Sequence, residues 1–377
     1  MHIFLRMDRR FKILTTCIIL SISFGTTMAR AQVLHDPNTL NLIKDEIDCI
    51  YNLQFKKSQI LYLKIQKLYP KHPVLFLLRG LQTYWENYPI LTSTPVRASF
   101  EEDLRQCIQL SKKSTNPANE AEYLLNNLCA RGMLLKFYDD NHLTMDVIPL
   151  ATSSYKYLSN SFNFINESKD LQYYTGVYNY YREAYPNAYP VYKSLLFIFP
   201  HGNMKTGLKE IQNAAINAVV LRAESYFILS WIYLNFENNY LQALKYSNAL
   251  HEMYPDNMVY IITYVKNLLL LKRYDEVEKL ITISQKETEN KYFQAQFIIF
   301  KGILQEKKYH DNNLAKQYYT LGISKISPFG GYGNEYAAYA YFGLSRISNT
   351  KNETSISKQL REKAMKLTSF KNISFDR

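Results

Sequence analysis

Residues 223–255 read AESYFILSWIYLNFENNYLQALKYSNALHEMYP, and the spacing inside this stretch decides the fold. Tyr226, Leu229, Ser230 and Tyr233 stand at i, i+3, i+4 and i+7, one face of an α-helix. Glu237-Asn238-Asn239 is a polar turn. Tyr240 opens a second helix carrying Ala243 and Leu250, and Pro255 closes it. Ser230 and Ala243 are small, so the two helices can approach closely. Pro255 lacks an N–H and clashes with the preceding turn, so the second helix ends there.

The order aromatic, Leu-small pair, Tyr, then Ala and a closing Pro resembles the tetratricopeptide repeat. The unit carries one residue more than the roughly 34 of that repeat, in the inter-helix turn. Other segments keep the register. Phe55, Ser58, Tyr62, Ile65 and Pro70 match a second helix, with Pro twelve residues after the small position, as between Ala243 and Pro255. Tyr274, Val277 and Ile281 form another. Gly302, with Ala315, Tyr319 and Gly322, makes a further pair, and Tyr339, Phe342 and Gly343 begin the last, ending near Ala364 and Leu367. Lys193–Ile211, with Gly207-Leu208 at a helix start, also resembles the inclusion-body-clearance type of this repeat family, without its charged turn. The resemblance implies an all-α chain, an α-solenoid of helical hairpins in a right-handed superhelix. It also implies a concave groove lined by first helices, where Glu224, Phe227 and Trp231 would face, with Lys266 from the next repeat.

The middle is less regular. Phe100–Leu110, Glu120–Tyr138 and Leu143–Phe164 read as helices, with a loop at Tyr88–Ala98 before them. Leu171–Ala184 reads as a helix stopped by Pro186 and Pro190, Val191–Phe199 as a short apolar helix, and Lys205–Ala218 as the next. The total is about 17 helices and no strand. Only 12 Gly and 12 Pro in 377 residues suit such a chain. Residues 32–218 form an irregular helical-repeat part, and 219–377 regular repeats continuous with it.

The first 31 residues read as a cleaved signal peptide. Arg6, Arg9, Arg10 and Lys12 precede an apolar run, Ile13–Phe24, and Ala29-Arg30-Ala31 fits a small-x-small cleavage site. Cys17 lies at the start of the apolar run, where a lipidation cysteine does not belong. The expected chain is exported, periplasmic or envelope-associated, soluble and without a membrane span. Removing residues 1–31 lowers Lys+Arg from 45 to 40 and Asp+Glu from 33 to 32, leaving +8. That charge is scattered, which argues against nucleic acid. Cys49, Cys107 and Cys129 remain, with no metal spacing. They read as small buried residues, and one Cys107–Cys129 bridge stays open as an alternative.

No zinc-hydrolase helix, nucleophile elbow or phosphate loop occurs. Gly330, Gly331 and Gly333 read as an inter-helix linker, with Asn334 capping the last repeat. No catalytic residue, cofactor or metal site is expected. The expected function is a non-catalytic envelope scaffold or adaptor binding a protein or peptide. The alternative is a glycan or small-ligand module using Tyr173–Tyr192, which holds eight Tyr in twenty residues. Tyr174, Tyr178 and Tyr181 share one helix face there, followed by Asn179 and Arg182. They are either core with hydroxyls reaching water or an exposed aromatic platform. Asn127 and Arg131, polar inside an apolar helix, mark either a groove or internal hydrogen-bond locks.

Overall fold

The structure, a computed structural model, describes residues 33, 36–112, 114, 116–190, 199–368 and 373–376. The expected signal segment and nearly all of the expected helix at 191–199 lie outside these residues. Among the described residues there are sixteen α-helices and no strand. They form eight consecutive antiparallel hairpins. The first four are α1 (Pro37–Tyr51) with α2 (Phe55–Leu68), α3 (Pro73–Glu86) with α4 (Arg97–Leu110), α5 (Glu120–Asp140) with α6 (Thr144–Ser161), and α7 (Leu171–Ala188) with α8 (Met204–Asn217). Then come α9 (Arg222–Asn235) with α10 (Tyr240–Met253), α11 (Met258–Leu270) with α12 (Tyr274–Glu287), α13 (Lys291–Lys307) with α14 (Asn312–Ile326), and α15 (Gly331–Thr350) with α16 (Thr354–Leu367). Each hairpin packs on the next, and first helices touch across repeats, as α11 on α13 and α13 on α15. The chain is a helical solenoid.

One turn recurs in six hairpins. Leu53, His142, Asn238, Lys272, His310 and Asn352 each adopt a left-handed φ, between 51° and 60°, just after a first helix. For four of them this is the C′ position of a Schellman-type cap, where the following N–H reaches back to free carbonyls, and Asn238 and His310 stand one position later. Gln54 N donates to Cys49 O at 2.8 Å and Arg273 N to Leu268 O at 3.0 Å. In the α9–α10 hairpin the bond spans one residue more, Asn239 N to Tyr233 O at 2.8 Å, as it does in α13–α14, Asp311 N to Gln305 O at 2.9 Å. In α9–α10 that is the extra turn residue read from the sequence. Asp36, His72, Asn203, Asn239, Asn257, Asn290 and Asp311 cap helix starts with their side chains.

Small residues set the crossings. Ser230 Oγ donates to Ala243 O at 2.9 Å. Asn267 Nδ2, from α11, donates to Ser230 Oγ at 3.1 Å and Ser247 Oγ at 2.9 Å. All three side chains are buried, so the network locks α9, α10 and α11 into one register. Asn267→Leu is expected to cost about 1–3 kcal/mol by leaving the two hydroxyls without their shared donor. Urea midpoints compare the variants, and an unchanged midpoint would mean the lock contributes nothing.

Three local expectations are corrected. Helix α7 runs through Pro186 to Ala188 rather than stopping before it. So close to its C-terminus the ring removes only one bond, and Tyr189 N still donates to Tyr185 O at 2.8 Å. Helix α6 ends at Ser161, and Phe162–Phe164 continue as a 3-10 turn. The glycine segment is not a linker capped by Asn334. Gly331 begins α15, and a Cβ there would collide with the Asp140 carbonyl at the end of α5. The missing side chain lets α15 start against the far hairpin, which places Asn334 inside the helix.

Candidate functional site

The expected groove residues lie on α9 and α11, and the chain's own N-terminal helices cover that face. The Tyr51 hydroxyl of α1 donates to Glu224 Oε1. The Tyr51 ring stands 5.3 Å from Tyr254, 5.4 Å from Trp85 and 6.1 Å from Tyr260, and Phe227 lies 6.4 Å from Tyr260. Arg222 Nη2 and the Tyr254 hydroxyl both donate to Asp48 Oδ1, at 2.9 and 2.7 Å. Farther along, the Tyr88 ring packs between Phe293 at 5.9 Å and Tyr332 at 5.7 Å. Asn290 Nδ2 donates to Tyr88 O at 2.7 Å. The solenoid is therefore filled across its C-terminal half by α1, α3 and the turn after α3.

Burial without a cation pushes the Glu224 carboxyl up to about 8, and its Oε2 has no hydrogen-bond partner. Lys266 is buried, paired to Glu335 Oε1 at 3.1 Å and 5.4 Å from the Trp231 ring. Glu46 of α1 is fully buried with both oxygens unpartnered, and burial pushes it up to about 8 as well. A carboxyl held near that value is protonated at neutral pH and behaves as a polar neutral group.

The Tyr-rich helix α7 is engaged on most sides. Tyr180 is fully buried, whereas Tyr174, Tyr178 and Tyr181 are partly buried. The Tyr178 hydroxyl donates to Pro200 O at 2.7 Å, and its ring packs on Phe162 at 5.7 Å. Tyr181 packs edge-on against Phe236 at 5.2 Å, and Tyr174 against Tyr173 at 5.1 Å. Asn179 Nδ2 donates to Glu210 Oε2 at 3.0 Å. Arg182 is buried and donates twice to Phe199 O, at 3.2 and 3.0 Å, closing the chain back on itself. The row thus serves mainly to dock α7 on its neighbours.

Asn127 and Arg131 are locks beneath a cavity. Asn127 Nδ2 donates to Ile108 O at 3.2 Å and Ser111 Oγ at 3.1 Å, and its Oδ1 accepts from Arg131 Nε at 2.7 Å. Arg131 is 6% exposed; it donates to Ser153 Oγ at 2.8 Å and lies 4.6 Å over the Tyr157 ring. Burial lowers its pKa, and among the described residues no carboxylate pairs with it. Ser111 and Tyr157 are two walls of a cavity of about 980 Å³ between α5, α6 and the segment that follows α4. Tyr123, Asn160, Asn163, Lys112 and Lys156 line it as well. Asn163 Nδ2 donates to Asn160 Oδ1 at 2.9 Å and Asn160 Nδ2 to Glu120 Oε1 at 3.3 Å, which orients both amides. Aromatic faces, amides, hydroxyls and ammonium groups together suit an extended polar ligand.

Sequence reading found the locks and missed the walls. The available signal was the end of α6 and the 3-10 turn after it, where Tyr157, Asn160 and Asn163 follow one another at i, i+3 and i+6. Cys49, Cys107 and Cys129 are free buried thiols, and burial pushes Cys129 up to about 12. Among the described residues no three His, Cys, Asp or Glu side chains converge on a metal-sized site. Nor is any helix there long and apolar enough to cross a membrane. No protein-family model matches the chain, and no curated protein matches it.

Proposed function

We propose that the protein is a non-catalytic scaffold or adaptor of the cell envelope that holds a segment of a partner protein. The helical-repeat architecture supports this reading, as does the export signal read in residues 1–31. The observation that carries it is the cavity between α5, α6 and the segment that follows α4. An extended peptide presents unpaired N–H and C=O groups, and Asn160, Asn163 and the serine hydroxyls offer matching partners. Tyr157 is backed by Arg131 on one face, so its position is set before any ligand arrives. A glycan is the second reading, favoured by Tyr123 and Tyr157, whose rings can cover a sugar face.

The test is a photo-crosslinking residue placed at Asn160 in living cells, with a control at exposed Ile283 of α12. A discrete protein adduct at Asn160 alone is expected, and Tyr157→Ala should cut its yield about tenfold, as for a binding hot spot. Equal adducts at both positions, or none at Asn160, would sink the adaptor reading. Retention on a glycan column that depends on Tyr157 would then favour the second.

A further inference from the structure

We propose that the outer face of α2 docks the protein on the anionic headgroup surface of a phospholipid bilayer. The inference is independent of the cavity. The helix reads FKKSQILYLKIQKL, with four lysines and no acidic residue. Successive helical residues turn by about 100°, which sorts them into two faces. Ser58, Tyr62 and Ile65 are the buried face. Opposite them stand Lys56, Ile60, Leu63 and Lys67, with Lys64 and Leu68 on one flank. Ile60, Leu63 and Leu68 are 59%, 53% and 57% exposed, an unusual load of bare aliphatic surface for one helix. Lys56, Lys64 and Lys67 are exposed too and form no ion pair with any described residue.

Charge and shape together select the occupant. Unpaired lysines beside the aliphatic residues repel a second copy of the same face. They attract anionic headgroups, while their methylene stems lie along the apolar surface. The three aliphatic side chains are long enough to enter the headgroup boundary, as amphipathic interfacial helices do. A peptide or compact ligand wants a concavity, and residues more than half exposed on one helix present a ridge. The described helices include no span, so attachment through α2 is peripheral.

The experiment is vesicle co-sedimentation of the protein as recovered from expressing cells. Vesicles of phosphatidylcholine with phosphatidylglycerol are compared with phosphatidylcholine alone. Binding to the anionic vesicles should be at least about tenfold stronger and should fade as salt is raised. Lys56→Glu/Lys64→Glu/Lys67→Glu should abolish that preference, and Ile60→Ser/Leu63→Ser should weaken binding strongly. Lys209→Glu/Lys316→Glu/Lys358→Glu removes the same charge from other exposed lysines and should bind like wild type. Equal binding to both vesicle types overturns the proposal, and so does equal loss in the two lysine variants. Loss in the α2 lysine variant with full binding by Ile60→Ser/Leu63→Ser overturns the entry of the aliphatic residues into the headgroup boundary and leaves charge adsorption alone. Every substituted residue is exposed, so unchanged circular dichroism is expected throughout.

Discussion

Gly343→Ala is expected to destabilise the protein by about 2–3 kcal/mol, although helix propensity alone favours Ala over Gly by about 1 kcal/mol. The reason is Tyr319 of α14. Its ring is fully buried between Gly302 of α13 and Gly343 of α15. A Cβ at Gly302 would stand 2.7 Å from two ring carbons, and one at Gly343 would overlap the opposite ring edge. A flexible side chain could swing away, but an aromatic ring held on both flanks has nowhere to go. Its hydroxyl is also tied, donating to Glu306 Oε2 at 2.7 Å. The sign of the effect therefore decides between propensity and packing. The cycle is completed in a Tyr319→Ala background, itself costing about 3–5 kcal/mol by cavity formation. There Gly343→Ala should become neutral or stabilising, because the atoms it struck are gone. Urea denaturation followed by circular dichroism measures all four proteins. If Gly343→Ala destabilises equally in both backgrounds, the ring is not the cause.

That sandwich shows what could be read in advance. Gly302, Tyr319, Gly322 and Gly343 stood out at repeat positions because a small residue opposite a ring is a local, periodic pattern. The extra residue in the turn before Tyr240 was equally legible, since a hairpin turn is written in consecutive positions. The filling of the C-terminal half was not. Tyr51 meets Tyr254, and Tyr88 meets Phe293, across some 200 residues, and no local period encodes which aromatic finds which. Lys266 and Glu224 were placed on the correct helices, but the covering helices come from the other end of the chain. Gly331 failed for the same reason, because its neighbour is Asp140. Asn127 and Arg131 were conspicuous as polar residues in an apolar helix. The choice between groove and lock depended on Ser111, Ser153 and Tyr157, which belong to two other helices.

Arg346→Leu should cost about 3–5 kcal/mol near neutral pH, the penalty for orphaning a buried carboxylate. Arg346 grips Glu306 with both arms, Nε to Oε1 at 2.6 Å and Nη2 to Oε2 at 2.8 Å. The same guanidinium donates to Ser374 O and, at 3.1 Å, to Asp376 Oδ1, so it also ties down the C-terminal residues. Burial is the largest influence on Glu306 and raises its pKa. The Arg346 hydrogen bonds and charge, aided by the Tyr319 hydroxyl and Lys307, outweigh it and hold the carboxyl below its ordinary value. With the folded pKa depressed, the unfolded chain binds more protons in acid. The stabilisation is thus complete above the ordinary glutamate range, about 4.3, and is lost as pH falls through the folded value. In Arg346→Leu that acid-side slope should shrink or vanish, since only the Tyr319 hydroxyl and Lys307, 3.5 Å from Oε1, remain to oppose burial. Adding Glu306→Gln to Arg346→Leu removes the stranded charge and should recover part of the loss at neutral pH. Urea midpoints at about pH 3 and about pH 7 report both effects. A wild-type midpoint in Arg346→Leu, or no recovery in the double variant, would show that the C-terminal hairpins are held by ring packing alone and that the pair adds register rather than stability.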